Sequence, residues 1–144
     1  MERIDLSERE WLNKAQAYCA KAEHCASQVR RKLTEWGADN APIERIISRL
    51  EADGFISSER FCRAFAHDKL LYQGWGRYKI AMALRQLLLP EEDISSALEN
   101  LDPDDYHQVL RKVAAQKKSA SKDQLTRFLL QRGFTYEEIK RCNL

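Results

Sequence analysis

The chain has 144 residues, enough for one domain or a few small modules. Five glycines and three prolines punctuate a composition rich in Ala, Leu, Arg, Lys, Glu and Gln. No stretch alternates apolar and polar residues long enough for a strand, the longest apolar runs, such as "IAMAL" at 80–84, are too short to cross a bilayer, and "MERIDLSERE" carries charge where a secretory signal needs an apolar core. A cytoplasmic, all-α protein with no membrane segment is expected.

The net charge of +2 hides a segregated pattern. Residues 1–90 hold 15 basic against 12 acidic residues, 91–105 hold seven acidic and no basic ones, and 106–144 hold nine basic against three acidic. Most such charge solvates helix surfaces, but this separation also suits a long charged partner.

In chain order, helices are predicted over 8–22, 26–36, 41–53, 58–73, 77–88, 91–101, 103–117, 122–132 and 135–142. Ser58, Asp102 before Pro103, and Ser121 mark starts, because their side-chain oxygens can accept from unpaired first-turn amides. Gly37, Gly54 and Gly133 mark stops, since glycine adopts the left-handed conformation that closes a helix.

A repeat runs through these elements. Val29, Leu33, Ile43, Ile46, Ile47 and Leu50 reappear 51 residues later as Ile80, Leu84, Ile94, Ala97, Leu98 and Leu101. A further 45 residues on, Leu125, Leu129, Ile139 and Cys142 recur. Gly37 and Gly133 match, and Leu88, followed by Pro90, stands at their place in the middle copy. The leading helices correspond less tightly, through Trp11/Ala15/Tyr18, Phe61/Phe65/Tyr72 and Tyr106/Leu110/Val113. Three tandem three-helix repeats follow, over 1–56, 57–102 and 103–144, each burying one apolar stripe per helix. Asp68 falls in the stripe of Phe61, Phe65 and Tyr72, where an unpaired carboxylate is costly. It is therefore expected to accept a hydrogen bond or ion pair, from Trp75 or an arginine.

Chemistry is hard to find. Gly74 and Gly76 lack the third glycine and preceding strand of a dinucleotide fingerprint, and no P-loop Gly-Lys-Ser/Thr is present. His24, His67 and His107 have no neighbours suggesting a nucleophile and base. The four cysteines form no C-x-x-C pair and read as buried thiols; His24-Cys25 with Cys19 falls short of a zinc pattern. No enzyme activity, cofactor or metal is expected. "GWGRYK" at 74–79 reads instead as a joint: Gly74 ends one helix, Gly76 turns the chain into the next, and Trp75 anchors between helices.

The block "SSERFCRAFAHDKLLYQGWGRYKIAMALRQ", residues 57–86, resembles the RecX family of bacterial recombinase regulators in its acidic-Arg-aromatic start, basic helix and Trp-Gly followed by Lys-Ile and Ala-Leu-Arg. "AYCAKAEHCASQVRRKLTEWG" at 17–37 and "RLEADGFISSERF" at 49–61 resemble that family's first repeat and its joint to the second. Two departures stand out. Gln28 replaces a frequent acidic residue, a change expected to weaken a local ion pair. Leu87-Leu88-Leu89 replaces a polar-Gly-Ile helix end and puts the sharp stop in doubt.

The resemblance implies three tandem units forming an elongated, curved body that binds the RecA recombinase and its filament on single-stranded DNA. It implies inhibition of ATP hydrolysis and strand exchange, within DNA repair and the SOS response, by a monomer. Arg77, Lys79 and Arg85 are the first candidates for partner contact, supported by Arg30, Arg31, Lys117 and Lys118, with Gly74, Trp75 and Gly76 as a structural hinge. Weak, non-specific DNA binding could accompany this role. The alternatives are a helix-turn-helix DNA-binding regulator, which the acidic 91–105 segment disfavours, and a helical-repeat adaptor for another protein.

Overall fold

The computed structural model describes residues 7–144. Among them are α1 (Glu8–Lys21), α2 (Ala26–Glu35), α3 (Asn40–Ala52), α4 (Ser58–Gln73), α5 (Arg77–Gln86), α6 (Glu91–Glu99), α7 (Pro103–Ala115), α8 (Lys122–Gln131) and α9 (Tyr136–Arg141), with no strand. The chain divides into two compact units, Met1–Phe61 and Cys62–Leu144. No helix among the described residues is long and apolar enough to cross a membrane.

The first unit is built from α1, α2 and α3. Ser7 opens α1 by accepting from the Glu10 amide at 3.3 Å. Trp11 and Ala15 of α1, Val29 and Leu33 of α2, and Ile43, Ile46, Ile47 and Leu50 of α3 form one core. The last six, which define the repeat, are each at most 3% exposed. Gln28 turns out to serve α2 directly. Its Oε1 accepts from the Cys25 amide at 3.1 Å and lies 3.3 Å from His24 Nδ1, so a helix cap stands where a weakened ion pair was expected.

In the second unit, Ile80 and Leu84 of α5 are fully buried and Ile94 of α6 nearly so. Tyr106, Leu110 and Val113 of α7 bury the face predicted for them. The third set of repeat positions is looser: Leu129 and Cys142 are buried, whereas Leu125 and Ile139 are half-buried. All four cysteines are thiols, with Cys25, Cys62 and Cys142 buried and Cys19 partly so. Burial pushes the Cys19 thiol up from its ordinary pKa.

The α4 stripe differs from the sequence reading. The helix buries Phe61 as expected, but continues inward through Cys62, Ala66 and Leu70, while Phe65 is half-buried and Tyr72 is 76% exposed. This rotates the core face by about one residue and turns Asp68 to water. Its only partner among the described residues is His67, whose Nδ1 lies 3.5 Å from the carboxylate; neither Trp75 nor an arginine holds it. Small and sulfur-bearing side chains at 62 and 66 allow the close packing that a stripe counted from the aromatics alone overlooks.

Four helices end alike. After α2, α3 and α8, Gly37, Gly54 and Gly133 take φ values of 99°, 80° and 96°. Each donates its N–H three residues back, and the next residue donates five residues back. At the end of α5 the same geometry is held by Leu88, with φ 64°. Leu88 N–H reaches the Arg85 carbonyl at 3.0 Å and Leu89 N–H the Leu84 carbonyl at 3.2 Å. The helix therefore stops sharply without glycine, because Leu89 is buried directly after the turn and pins it. The cost falls on Leu88, whose Cβ crowds a carbonyl in this conformation while its side chain is 76% exposed. Leu88→Gly is expected to stabilise the protein by about 1 kcal/mol and raise its thermal midpoint by a few degrees. An unchanged or lowered midpoint in a calorimetric scan would contradict this account.

Candidate functional site

The joint at 74–76 is built by backbone packing within the second unit. Gly74 closes α4 with φ 68°, and a Cβ there would come within 2.9 Å of Val113 Cγ2. Gly76 is different: its backbone is extended (φ −83°, ψ 171°), so conformation alone does not demand glycine. Space does. A Cβ at Gly76 would overlap the carbonyl of Gly133, and one at Gly133 would overlap the Cβ of Lys79. The two chain segments approach through glycines on both sides. Across this contact, Gly76 N–H donates to the Arg132 carbonyl at 2.8 Å and Tyr78 N–H to the Gly133 carbonyl at 3.0 Å.

The first amides of any helix lack intrahelical acceptors. In α5 two of them are satisfied from far along the chain, Tyr78 by Gly133 and Arg77 by the Tyr106 hydroxyl at 3.0 Å. The Tyr106 hydroxyl in turn donates to Glu138 Oε1 at 3.0 Å. Arg77 folds back over the Tyr106 ring, 3.8 Å from its centroid, and its guanidinium donates to Glu138 Oε2 at 2.9 Å. Glu138 completes the network by accepting from the Thr135 amide at 2.8 Å, capping α9. Tyr106 is 1% exposed and packs edge-on against Phe134 with centroids 5.6 Å apart. Burial, which outweighs the Arg77 amide bond, pushes its phenol far above the usual range and keeps it a protonated donor.

Trp75 is half-buried beside Phe65, with ring centroids 6.4 Å apart. The ammonium groups of Lys79 and Lys69 lie 4.5 and 4.8 Å from the centre of its ring. This is cation–π geometry, and it holds two positive charges at one aromatic residue.

The predicted contact residues thus differ in situation. Arg77 is engaged inside the unit. Lys79 sits over Trp75. Arg85 is exposed and makes a two-pronged pair with Glu91. Arg30 makes the same kind of pair with Glu44, and Arg31 lies 3.9 Å from Glu35. Lys117 stands 5.1 Å over the Phe128 ring, and Lys118 is exposed. The second unit brings Arg77 and Lys79 together with the Gly74–Trp75–Gly76 joint, while Arg30 and Arg31 belong to the first unit. Sequence reading missed Lys69, Tyr106, Gly133 and Glu138 as members of this site. Gly133 was visible only as a helix stop, and Glu138 follows Thr135 at capping-box spacing. Among the described residues no group of three or more His, Cys, Asp or Glu side chains could hold a metal ion.

Helices alone among the described residues, with a cation-rich joint between two of them, define the class, and comparison with known proteins supplies the family. Residues 12–50 match the model of "RecX, first three-helix domain" and residues 59–98 that of "RecX, second three-helix domain", together more than half of the chain. The regulatory protein RecX of Pseudomonas putida is 34% identical over 128 residues, covering 85% of this chain and 81% of that protein. That of Clostridium tetani is 32% identical over 133 residues, covering 85% of this chain. The chain spans 61% of the length of the Clostridium tetani protein. The crystal structure of RecX from Lactobacillus salivarius superposes with a TM-score of 0.80 at 17% identity, over 94% of this chain and 93% of that one, which establishes the shared fold. The chain belongs to the RecX family of regulatory proteins.

Two predictions follow from the joint. Gly76→Ala is expected to destabilise the second unit by more than about 2 kcal/mol, because rigid backbone must give way. Gly54→Ala, at positive φ but with open space around it, is expected to cost only about 1 kcal/mol. Equal losses in denaturant titrations would show that the contact with Gly133 yields to a Cβ and does not require glycine at Gly76. Second, a double-mutant cycle of Arg77→Ala and Glu138→Ala is expected to give a coupling of about 1–2 kcal/mol. Additive losses would dissolve the proposed network.

Proposed function

We propose that this protein binds a RecA recombinase and its filament on single-stranded DNA, and lowers ATP hydrolysis and strand exchange by binding alone. The observation that carries this reading is the outward side of α5. Tyr78, Met82 and Arg85, at i, i+4 and i+7, are exposed on it, with Lys79 beside them over Trp75. An exposed tyrosine, methionine and arginine form the kind of surface enriched at protein interfaces. Membership of the RecX family supports a recombinase as the partner. The cytoplasm, where recombinase filaments assemble, is the proposed compartment.

Within this reading Lys79 and Arg85 are the contact residues, and Arg77 is a positioning residue that fixes the start of α5. Arg30, Arg31, Lys117 and Lys118 add contacts from the outer repeats, and the Gly74–Trp75–Gly76 joint sets the presentation of the central one. We propose that residues 1–56, 57–102 and 103–144 act as three repeats, each engaging a periodic partner weakly. Linked weak contacts multiply through effective concentration, so a filament would be held far better than a single recombinase subunit.

The test is recombinase ATPase on single-stranded DNA with increasing amounts of the protein. The unmodified protein is expected to inhibit. Lys79→Glu with Arg85→Glu is expected to weaken inhibition at least tenfold at unchanged thermal midpoint, as expected when buried interface contacts worth about 1–3 kcal/mol are lost. Arg77→Ala is expected to lower both inhibition and stability. Full inhibition by the Lys79/Arg85 double variant would remove this face of α5 from the mechanism.

A further inference from the structure

The second unit carries another concave surface, which shares Gly74 with the joint and has Lys117 at its end but is lined by none of the contact residues of α5. It is a groove of about 400 Å³ between the C-terminal turn of α4 and the exposed side of α7, closed at one end by Arg132. Leu71, Val109 and the buried Val113 give it an aliphatic floor, the exposed ring of Tyr72 stands beside them, and Gln73, Gln108 and Gln116 line its rim. Lys112 and Arg132 are its charged residues, and no carboxylate lines it. A third cation stands at the same end, since Lys117 and Arg132 both lie 5.1 Å over the ring of Phe128.

These cations are unlike most of the arginines elsewhere. Arg30, Arg45, Arg49, Arg60, Arg77 and Arg85 are each paired with a carboxylate. Lys112, Lys117 and Arg132 have no carboxylate partner among the described residues; Arg132 reaches only the Gln73 carbonyl, at 3.4 Å. Positive charge is thus left uncompensated beside an apolar floor, within the 106–144 segment that holds nine basic residues against three acidic.

We propose that this groove docks an acidic peptide segment carrying one bulky apolar side chain. The apolar anchor would cover Leu71 and Val109, removing their surface from water. Flanking carboxylates would meet Lys112, Lys117 and Arg132. The glutamine rim suits a peptide in particular, because each amide both donates and accepts and so matches backbone C=O and N–H groups. A nucleic acid would leave the glutamine acceptors without donors on its phosphates, and Tyr72 is the single aromatic ring lining the groove, where single-strand binding uses a succession of them. The inference does not rest on the recombinase reading: Lys79 and Arg85 do not line the groove, and Lys117 is the one cation the two readings share.

The probe is a fluorescein-labelled twelve-residue peptide of Asp, Glu and Ser with one central Phe, titrated with the full chain and read by anisotropy. Saturable binding in the micromolar range is expected, weakening as salt is raised. Replacing Asp and Glu by Asn and Gln, or Phe by Ala, is expected to weaken binding at least tenfold. Lys112→Glu with Lys117→Glu is expected to do the same; both residues are exposed, and circular dichroism checks that the fold survives. A Val109→Ser variant with native spectra is expected to lose the preference for the Phe peptide over the Ala peptide. The proposal is overturned by no binding up to millimolar protein, by equal binding of the uncharged peptide, by indifference to the double charge reversal, or by tighter binding of an oligo-dT of equal charge.

Discussion

The backbone contact between Gly76 and Gly133 governs the second unit. Two chain segments, 57 residues apart, meet with no side chain between them, and each supplies hydrogen-bond partners that the other needs. Any Cβ on either side pushes the segments apart, because backbone cannot move aside as a flexible side chain can. Once the contact is made, the amides that open α5 are satisfied, the direction of α5 is fixed, and the exposed row of Tyr78, Met82 and Arg85 is set. Local sequence makes α5 helical; the glycine pair decides where it points.

The same contact explains the division of labour among neighbouring cations. Arg77 and Lys79 are two residues apart and look equivalent as charges. Arg77 lies against Tyr106 and Glu138, partly withdrawn from water, where a guanidinium can stack and donate to a carboxylate together. Lys79 carries a compact ammonium, which rests on the Trp75 face and remains near solvent. The exposed pairs, such as Arg85 with Glu91, contribute little to stability, since water screens them and two long side chains must be ordered. In Glu91 and Glu44 the carboxyl pKa is lowered, mainly by the hydrogen bond from the paired arginine, so these pairs persist at neutral pH and weaken as acid protonates the carboxylate.

Much of the fold was legible because the helices carry their own start and stop signals. Asp102 before Pro103 opens α7 with its side chain accepting from Asp104 and Asp105, as the residue types suggest, and Gly37, Gly54 and Gly133 close their helices as glycines at such positions do. The face of α4 was harder to read. Aromatic residues dominate an apolar count, yet Cys62 and Ala66 are fully buried while Tyr72 faces water. The joint was visible as an odd Gly-Trp-Gly, but its reason was not. Gly76 reads as a turn residue in one dimension, and only the long-range approach of Gly133 shows that it is glycine for want of room. Glu138 escaped for the same reason, because capping spacing announces its bond to Thr135 but not those to Tyr106 and Arg77.

The α7–α9 region shows why that polar network matters. Where the first copy of the repeat places Val29, Ile43 and Ile46, all fully or almost fully buried, the third places Leu125 and Ile139, half-buried, and the smaller Cys142. Helix α9 is six residues long, too short to persist by itself. Its apolar contribution is correspondingly modest, and other contacts must hold it. Phe134 at 1% exposure anchors the turn before it against Tyr106, Thr135 and Glu138 cap its start, and Glu138 ties it to Arg77 at the head of α5. The shortest of the described helices is therefore fastened to the element whose direction it helps to fix. Loosening α9 and misdirecting α5 are one event, which places the control of the outward surface in residues that never reach it.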